Sequence, residues 1–142
     1  MMAWHKPYTI AELQKFMTHE NIVQHIGIEF IEVGPDFLKL RMPIDHRTHQ
    51  IHGILHGGAT CVLTETAGSV ASLMSINPDT HYAVGSQINC NHLRPVKEGY
   101  VTATARPVHV GRTKHVWDIQ VHDDNGKLVA KSELTCAVTA KS

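Results

Sequence analysis

The 142 residues suffice for one domain with a buried core: 42% are apolar, and no run is long and apolar enough to cross a bilayer. Lys plus Arg and Asp plus Glu number 13 each, which argues against a nucleic-acid-binding chain, since such chains carry a basic excess. Three widely spaced cysteines (Cys61, Cys90 and Cys136) without a CxxC predict buried thiols rather than disulfides or a Cys-rich zinc site. Residues 1–6 lack the apolar core of a signal peptide, so the chain reads as cytoplasmic.

Thr9-Ile10-Ala11-Glu12 is a capping box with Thr9 as N-cap. Ile10, Leu13, Phe16 and Met17 follow at helical spacing, predicting a short amphipathic helix over 9–18. Gly27 to Val33 and Phe37 to Met42 read as strands joined by the turn Gly34-Pro35-Asp36, with Pro43 ending the second. Residues 44–56 form an irregular loop. His46, His49, His52 and His56 lie there at spacings of three and four, but Gly53, Gly57 and Gly58 oppose a regular helix that would align them. With no HExxH and only Asp45 as a nearby carboxylate, no metal site is expected.

A long helix follows from about Gly57 to Met74, closed by the turn Asn77-Pro78-Asp79. Four strands complete the chain: Tyr82–Leu93, Tyr100–Val110, His115–His122 and Leu128–Thr139. Val101, Ala103 and Ala105 alternate with Thr102 and Thr104, and Trp117, Ile119 and Val121 alternate with more polar neighbours, the period of a half-buried sheet. Asp123-Asp124-Asn125-Gly126 is a hairpin turn. Short connections after the long helix imply an antiparallel sheet with that helix across it, an α+β domain spanning 1–142.

On a helical wheel Gly58, Cys61, Glu65, Gly68, Ser69 and Ser72 make one face. Val62, Leu63, Val70, Leu73 and Met74 make the other, which is expected to pack on the sheet. Glu65 is the only acidic residue between Asp45 and Asp79, and no Lys or Arg occurs between Arg47 and Arg94. An i,i+4 ion pair therefore cannot account for it, which leaves a solvated surface carboxylate or a chemical group. Ser69, at i+4, stands within reach of that carboxylate or of a water beside it. His56-Gly57-Gly58 lies at the helix start, where free N–H groups and the dipole favour an anion, or where glycines simply make a turn.

Five segments in this order form a recognisable set: Asp45-His46-Arg47-Thr48-His49-Gln50, Leu55-His56-Gly57-Gly58, Glu65-Thr66-Ala67-Gly68-Ser69, Asn91-His92-Leu93-Arg94-Pro95 and Gly111-Arg112. They resemble the hot-dog-fold acyl-CoA thioesterases of the PaaI-type branch, from about Trp4 to Thr139. Within that branch the similarity is to bacterial enzymes acting on aromatic acyl thioesters. The resemblance implies a curved antiparallel sheet wrapped around one long central helix, and homodimers that pair into a homotetramer with active sites at subunit interfaces. It implies hydrolysis of acyl-CoA, or of an acyl or aryl carrier-protein thioester, without a cofactor or a membrane or nucleic-acid partner.

By the same resemblance, Glu65 is the catalytic carboxylate, as nucleophile or general base. The Gly57 N–H polarises the thioester carbonyl, His56 and Gln50 lie beside it, and Ser69 assists Glu65. CoA contacts fall on Gly85, on His92, Leu93, Arg94 and Pro95, and on His109, Val110, Gly111, Arg112, Thr113 and Lys114. Arg94 with Lys97, and Arg112 with Lys114 and His115, are two basic segments expected to form one patch for the nucleotide phosphates. The chain departs from the family pattern at Gln50-Ile51-His52, where a Pro and an aromatic residue often follow the Gln, so the acyl group is left unassigned. Two other readings are a hot-dog hydratase or dehydratase, which needs a different acid/base motif, and a non-catalytic acyl-CoA-binding module.

Overall fold

The computed structural model describes residues 3–17 and 19–142. Residue 18, the expected end of the first helix, and Met1-Met2 lie outside them, but the helix expected over 9–18 already stops at Gln14, followed by a turn.

Two short helices, α1 (Ile10–Gln14) and α2 (Ile22–His25), precede strands β1 (Glu29–Val33) and β2 (Leu38–Ile44). The Thr9 hydroxyl accepts the Glu12 N–H at 3.2 Å, as the capping box predicts. Helix α2 is one turn capped by Asn21, too short for a periodic signal. The long helix α3 spans Gly57–Met74, and β3 (His81–His92), β4 (Gly99–Val110), β5 (Lys114–Asp123) and β6 (Leu128–Ala140) follow. Strand β2 runs through Pro43 rather than stopping before it. Its pairing with β1 ends at Arg41, and beyond that point it is an edge, where a residue lacking an N–H is tolerated.

All six strands pair antiparallel in the order β1-β2-β4-β5-β6-β3. Helix α3 touches β2 through β6, which is possible only because the sheet curves around it. Leu38, Leu40, Met42 and Ile44 point inward from β2, and His115, Trp117, Ile119 and Val121 from β5, each alternating with less buried neighbours. Strand β3 lies at the end of the order with one side unpaired and carries exposed Tyr82 and Val84.

The two faces expected of α3 need correction. Gly68 and Ser72, assigned to the outward face, are buried against the sheet, while Val62 and Leu73, assigned inward, are half-buried. The cause is the bulk arriving from the strands: Leu134 and Ile119 occupy the space over Gly68, and Trp117 donates its indole N–H to Ser72 Oγ at 2.7 Å. A Cβ on Gly68 would lie 2.5 Å from Leu134 Cδ2 and 3.1 Å from Leu134 Cβ. Gly68→Ala therefore destabilises the fold by about 1–3 kcal/mol through overpacking, although Ala is the better helix former by about 1 kcal/mol. A lowered urea midpoint with unchanged slope is the expected readout, and an unchanged or raised midpoint contradicts this packing.

Candidate active site

The start of α3 is built by the loop before it. Asp45 accepts from the Arg47 backbone N–H at 2.9 Å and from its guanidinium at 2.7 Å. These hydrogen bonds from Arg47 draw the Asp45 carboxyl down to about 2. Thr48 accepts the His56 N–H at 2.7 Å, which sets the residue before the helix in an extended conformation. His56 then caps the helix, its Nδ1 accepting the Gly58 N–H at 2.7 Å. That bond requires an unprotonated Nδ1 and uses up the Gly58 donor. Gly57 is the first helical residue, and its N–H has no acceptor within the helix while standing at the positive end of the dipole.

That N–H borders a cavity of about 360 Å³ lined by Gln50, Gly57, Thr60, His92, Arg94 and Pro95 among others. The His92 ring stands against Gly57: a Cβ there would lie 2.9 Å from His92 Nε2. Gln50 accepts the His52 N–H through Oε1, which orients its amide. The structure thus brings Gln50, Gly57 and His92–Pro95 together. His56 looks the other way, into a concavity shared with His46 and His49.

Glu65 stands two turns further along α3, over the bulge that interrupts β3 between Gly85 and Gln87. Its Oε2 occupies the place where a Gly85 Cβ would be, so only glycine admits the carboxylate there. Glu65 is exposed in the single chain, and among the described residues no hydrogen bond or ion pair engages it. Ser69 does not turn to it: its hydroxyl, with that of Ser72, faces the Cys136 thiol. Burial pushes that thiol up, the two hydroxyls oppose the rise and the nearby Glu65 charge adds to it. Gly85→Ala is expected to leave the fold intact but to displace the carboxylate, lowering turnover by about 10²-fold, the scale of a 1 Å misplacement. Unchanged turnover would mean that this position of Glu65 is not the working one.

Gly57 and Glu65 are eight residues apart on one helix, about 12 Å along its axis, too far for one chain to bring both to a single carbonyl. The two basic segments are also separated. Arg94 lines the cavity at the α3 N-terminus, whereas Val110, Gly111, Arg112 and Thr113 line a cavity of about 730 Å³ with Ser75, just past the α3 C-terminus. An 18-residue helix of about 27 Å lies between them, so the two segments do not meet within one chain. His115 lies at the inner wall of that second cavity. It is buried, and its Nδ1 lies 2.9 Å from Ser72 Oγ. Burial pulls its imidazole below the usual range, while a bond to the Gly111 carbonyl opposes this. Ser72 Oγ accepts the Trp117 indole N–H and shares a second hydrogen bond with His115 Nδ1.

The four loop histidines do not converge: His49 Nε2 contacts the Lys97 carbonyl at 2.9 Å and His56 caps α3. Cys61, Cys90 and His92 do converge, with their donor atoms within 4.8 Å of one another. Sequence spacing hides this group because Cys61 lies on α3. Only the Cys90-Asn91-His92 alternation, which puts two donors on one strand face, was legible.

The thioesterase superfamily pattern matches residues 52–130. A 1,4-dihydroxy-2-naphthoyl-CoA hydrolase of Escherichia coli is 39% identical over 137 residues, 96% of this chain and 99% of that protein. A proofreading thioesterase of Cronobacter turicensis is 38% identical over 137 residues, 96% of this chain and 98% of that protein. The crystal structure of a mutant thioesterase from Pseudomonas aeruginosa superposes with a TM-score of 0.95 at 40% identity, over 98% of this chain and 99% of that one.

Proposed function

We propose that this chain, which belongs to the thioesterase superfamily and is a thioester hydrolase, cleaves acyl-CoA to the free acid and CoA, favouring aromatic or medium-length acyl groups. The observation that carries this reading is an unpaired carboxylate, Glu65, seated on a glycine at a bulged free sheet edge. The same face of the molecule presents the Gly57 N–H. A thioester carbonyl needs an oxygen nucleophile and a donor for the developing oxyanion. Glu65 supplies the first directly or by deprotonating water, and Gly57 supplies the second. Gln50 beside Gly57 adds an amide to the same wall.

Two copies are needed. A second chain pairing antiparallel with the free β3 edge places the partner's His81 end beside this chain's His92 end. That arrangement carries Glu65 of one chain towards Gly57 of the other, and the Arg112 segment of one towards Arg94 of the other. The two basic segments separated within a chain then meet around one CoA. The exposed Tyr82 and Val84 on β3 become interface residues, and such dimers pair further into a tetramer. The E. coli relative named as a naphthoyl-CoA hydrolase supports an aromatic acyl group.

The test is free-thiol release from a panel of aryl- and alkyl-CoA esters. Release that is fastest with aromatic or medium acyl groups is expected. Tight CoA-ester binding with no thiol released across the panel would reject hydrolysis of acyl-CoA. Arg94→Ala raises KM for CoA esters about 10-fold with kcat nearly unchanged, because a charge-assisted phosphate bond of about 1.5 kcal/mol is lost from ground and transition states alike. A fall in kcat at constant KM would refute that role.

A further inference from the structure

Two thiols take no part in the hydrolysis proposed above, yet the fold brings them together. Cys61 comes from α3 and Cys90 from β3, and His92 follows on the same face of β3. Cys90 Sγ lies 3.9 Å from His92 Nδ1, and all three donor atoms fall within 4.8 Å of one another. The His92 ring is oriented so that Nε2 faces Gly57 while Nδ1 faces the sulfurs.

We propose that Cys61, Cys90 and His92 form a binding site for one soft divalent metal ion of the zinc and cadmium class. Two thiolates and a neutral imidazole are the donor set that such ions prefer, and three protein ligands leave a fourth position for water. With metal–sulfur bonds of about 2.3 Å and metal–nitrogen bonds of about 2.0–2.1 Å, tetrahedral donors sit roughly 3.5–3.8 Å apart, so a small side-chain adjustment closes the group on an ion. The ligands stand on two elements already packed together, so the backbone geometry precedes the metal. Glu65 lies one helical turn from Cys61 and brings a carboxylate near the thiols.

Burial first, and the adjacent Cys61 second, push Cys90 up to about 12. The ion is held through the Cys61 and Cys90 sulfurs and the Nδ1 lone pair of His92, with any thiol proton lost to solvent and no redox step.

Titration of the reduced, metal-free 142-residue chain with cadmium in thiol-free buffer tests the site without requiring turnover. The expected result is one ion bound per chain by equilibrium dialysis. An ultraviolet thiolate-to-cadmium charge-transfer band should saturate at the same ratio. Cys61→Ala and Cys90→Ala should each weaken binding by at least about 100-fold, beyond the 10–100-fold typical of residues that only support a ligand. Cys136→Ala, on β6, should leave stoichiometry and band unchanged. Absence of saturable binding by the native chain overturns the assignment, as does an undiminished band in the Cys61→Ala/Cys90→Ala double variant. The first of these outcomes needs no variant to fold.

Discussion

Glu65→Gln lowers kcat for acyl-CoA hydrolysis by about 10²–10⁴-fold as the loss of a general base, and by at least as much if Glu65 is the nucleophile. The substitution keeps the shape of the side chain and removes the negative oxygen. Glu65 is exposed and pairs with no cation among the described residues, so loss of the charge strands no buried partner, and the thermal midpoint should not move. Thiol release under saturating substrate measures the effect. Near-native turnover in this variant would show that the chemistry belongs to another group. Single-turnover hydrolysis in oxygen-18 water tests the covalent route: label entering the Glu65 carboxylate identifies an acyl-glutamyl anhydride and rules out simple general-base attack by water.

Gly57→Pro is the second large effect, about 10²–10³-fold in kcat, the usual consequence of deleting one oxyanion donor. Position 57 is unusually suited to this substitution. Gly57 is the first residue of α3, where proline is well tolerated because its missing N–H has no helical acceptor. His56 before it is extended, as a residue preceding proline prefers. Gly57→Ala is the control, because it adds a Cβ against the His92 ring but retains the N–H. His92 is exposed and free to swing aside, so Ala should cost far less than Pro. Equal losses in the two variants would assign the effect to crowding rather than to the donor.

Mixing these two inactive variants tests whether the site is shared. In a hybrid dimer, native Gly57 of one chain faces native Glu65 of the other at one of the two sites. Random reassortment then restores roughly a quarter of native turnover for a two-fold dimer. No restoration after verified subunit exchange would place each site within one chain, against the separation along α3 set by eight intervening steps.

Much of this was legible in the residues because it rests on local rules. The periods of β4 and β5, the Thr9 cap and the bounds of α3 follow from alternation and capping chemistry, and each agrees with the structure. Glu65 stood out through the absence of neighbouring opposite charge, a property of sequence alone. Helix α2 escaped notice because four residues contain no period. Pro43 misled because the rule against proline in a strand depends on whether a neighbour is present, and β1 ends before reaching it.

The residues by themselves determined the long helix and the six strands, the antiparallel α+β class and a helical carboxylate with no Lys or Arg near it in the chain. These depend on interactions a few positions apart, or on which residue types occur at all. The tertiary structure alone decided which side of α3 packs inward, because Leu134, Ile119 and Trp117 arrive from strands some 50 residues away and pack against the small Gly68 and Ser72. It likewise separated Arg94 from Arg112, seated Glu65 on Gly85 and gathered Cys61, Cys90 and His92. Such meetings follow from how a curved sheet closes on a helix, and residue spacing along the chain carries no record of that closure.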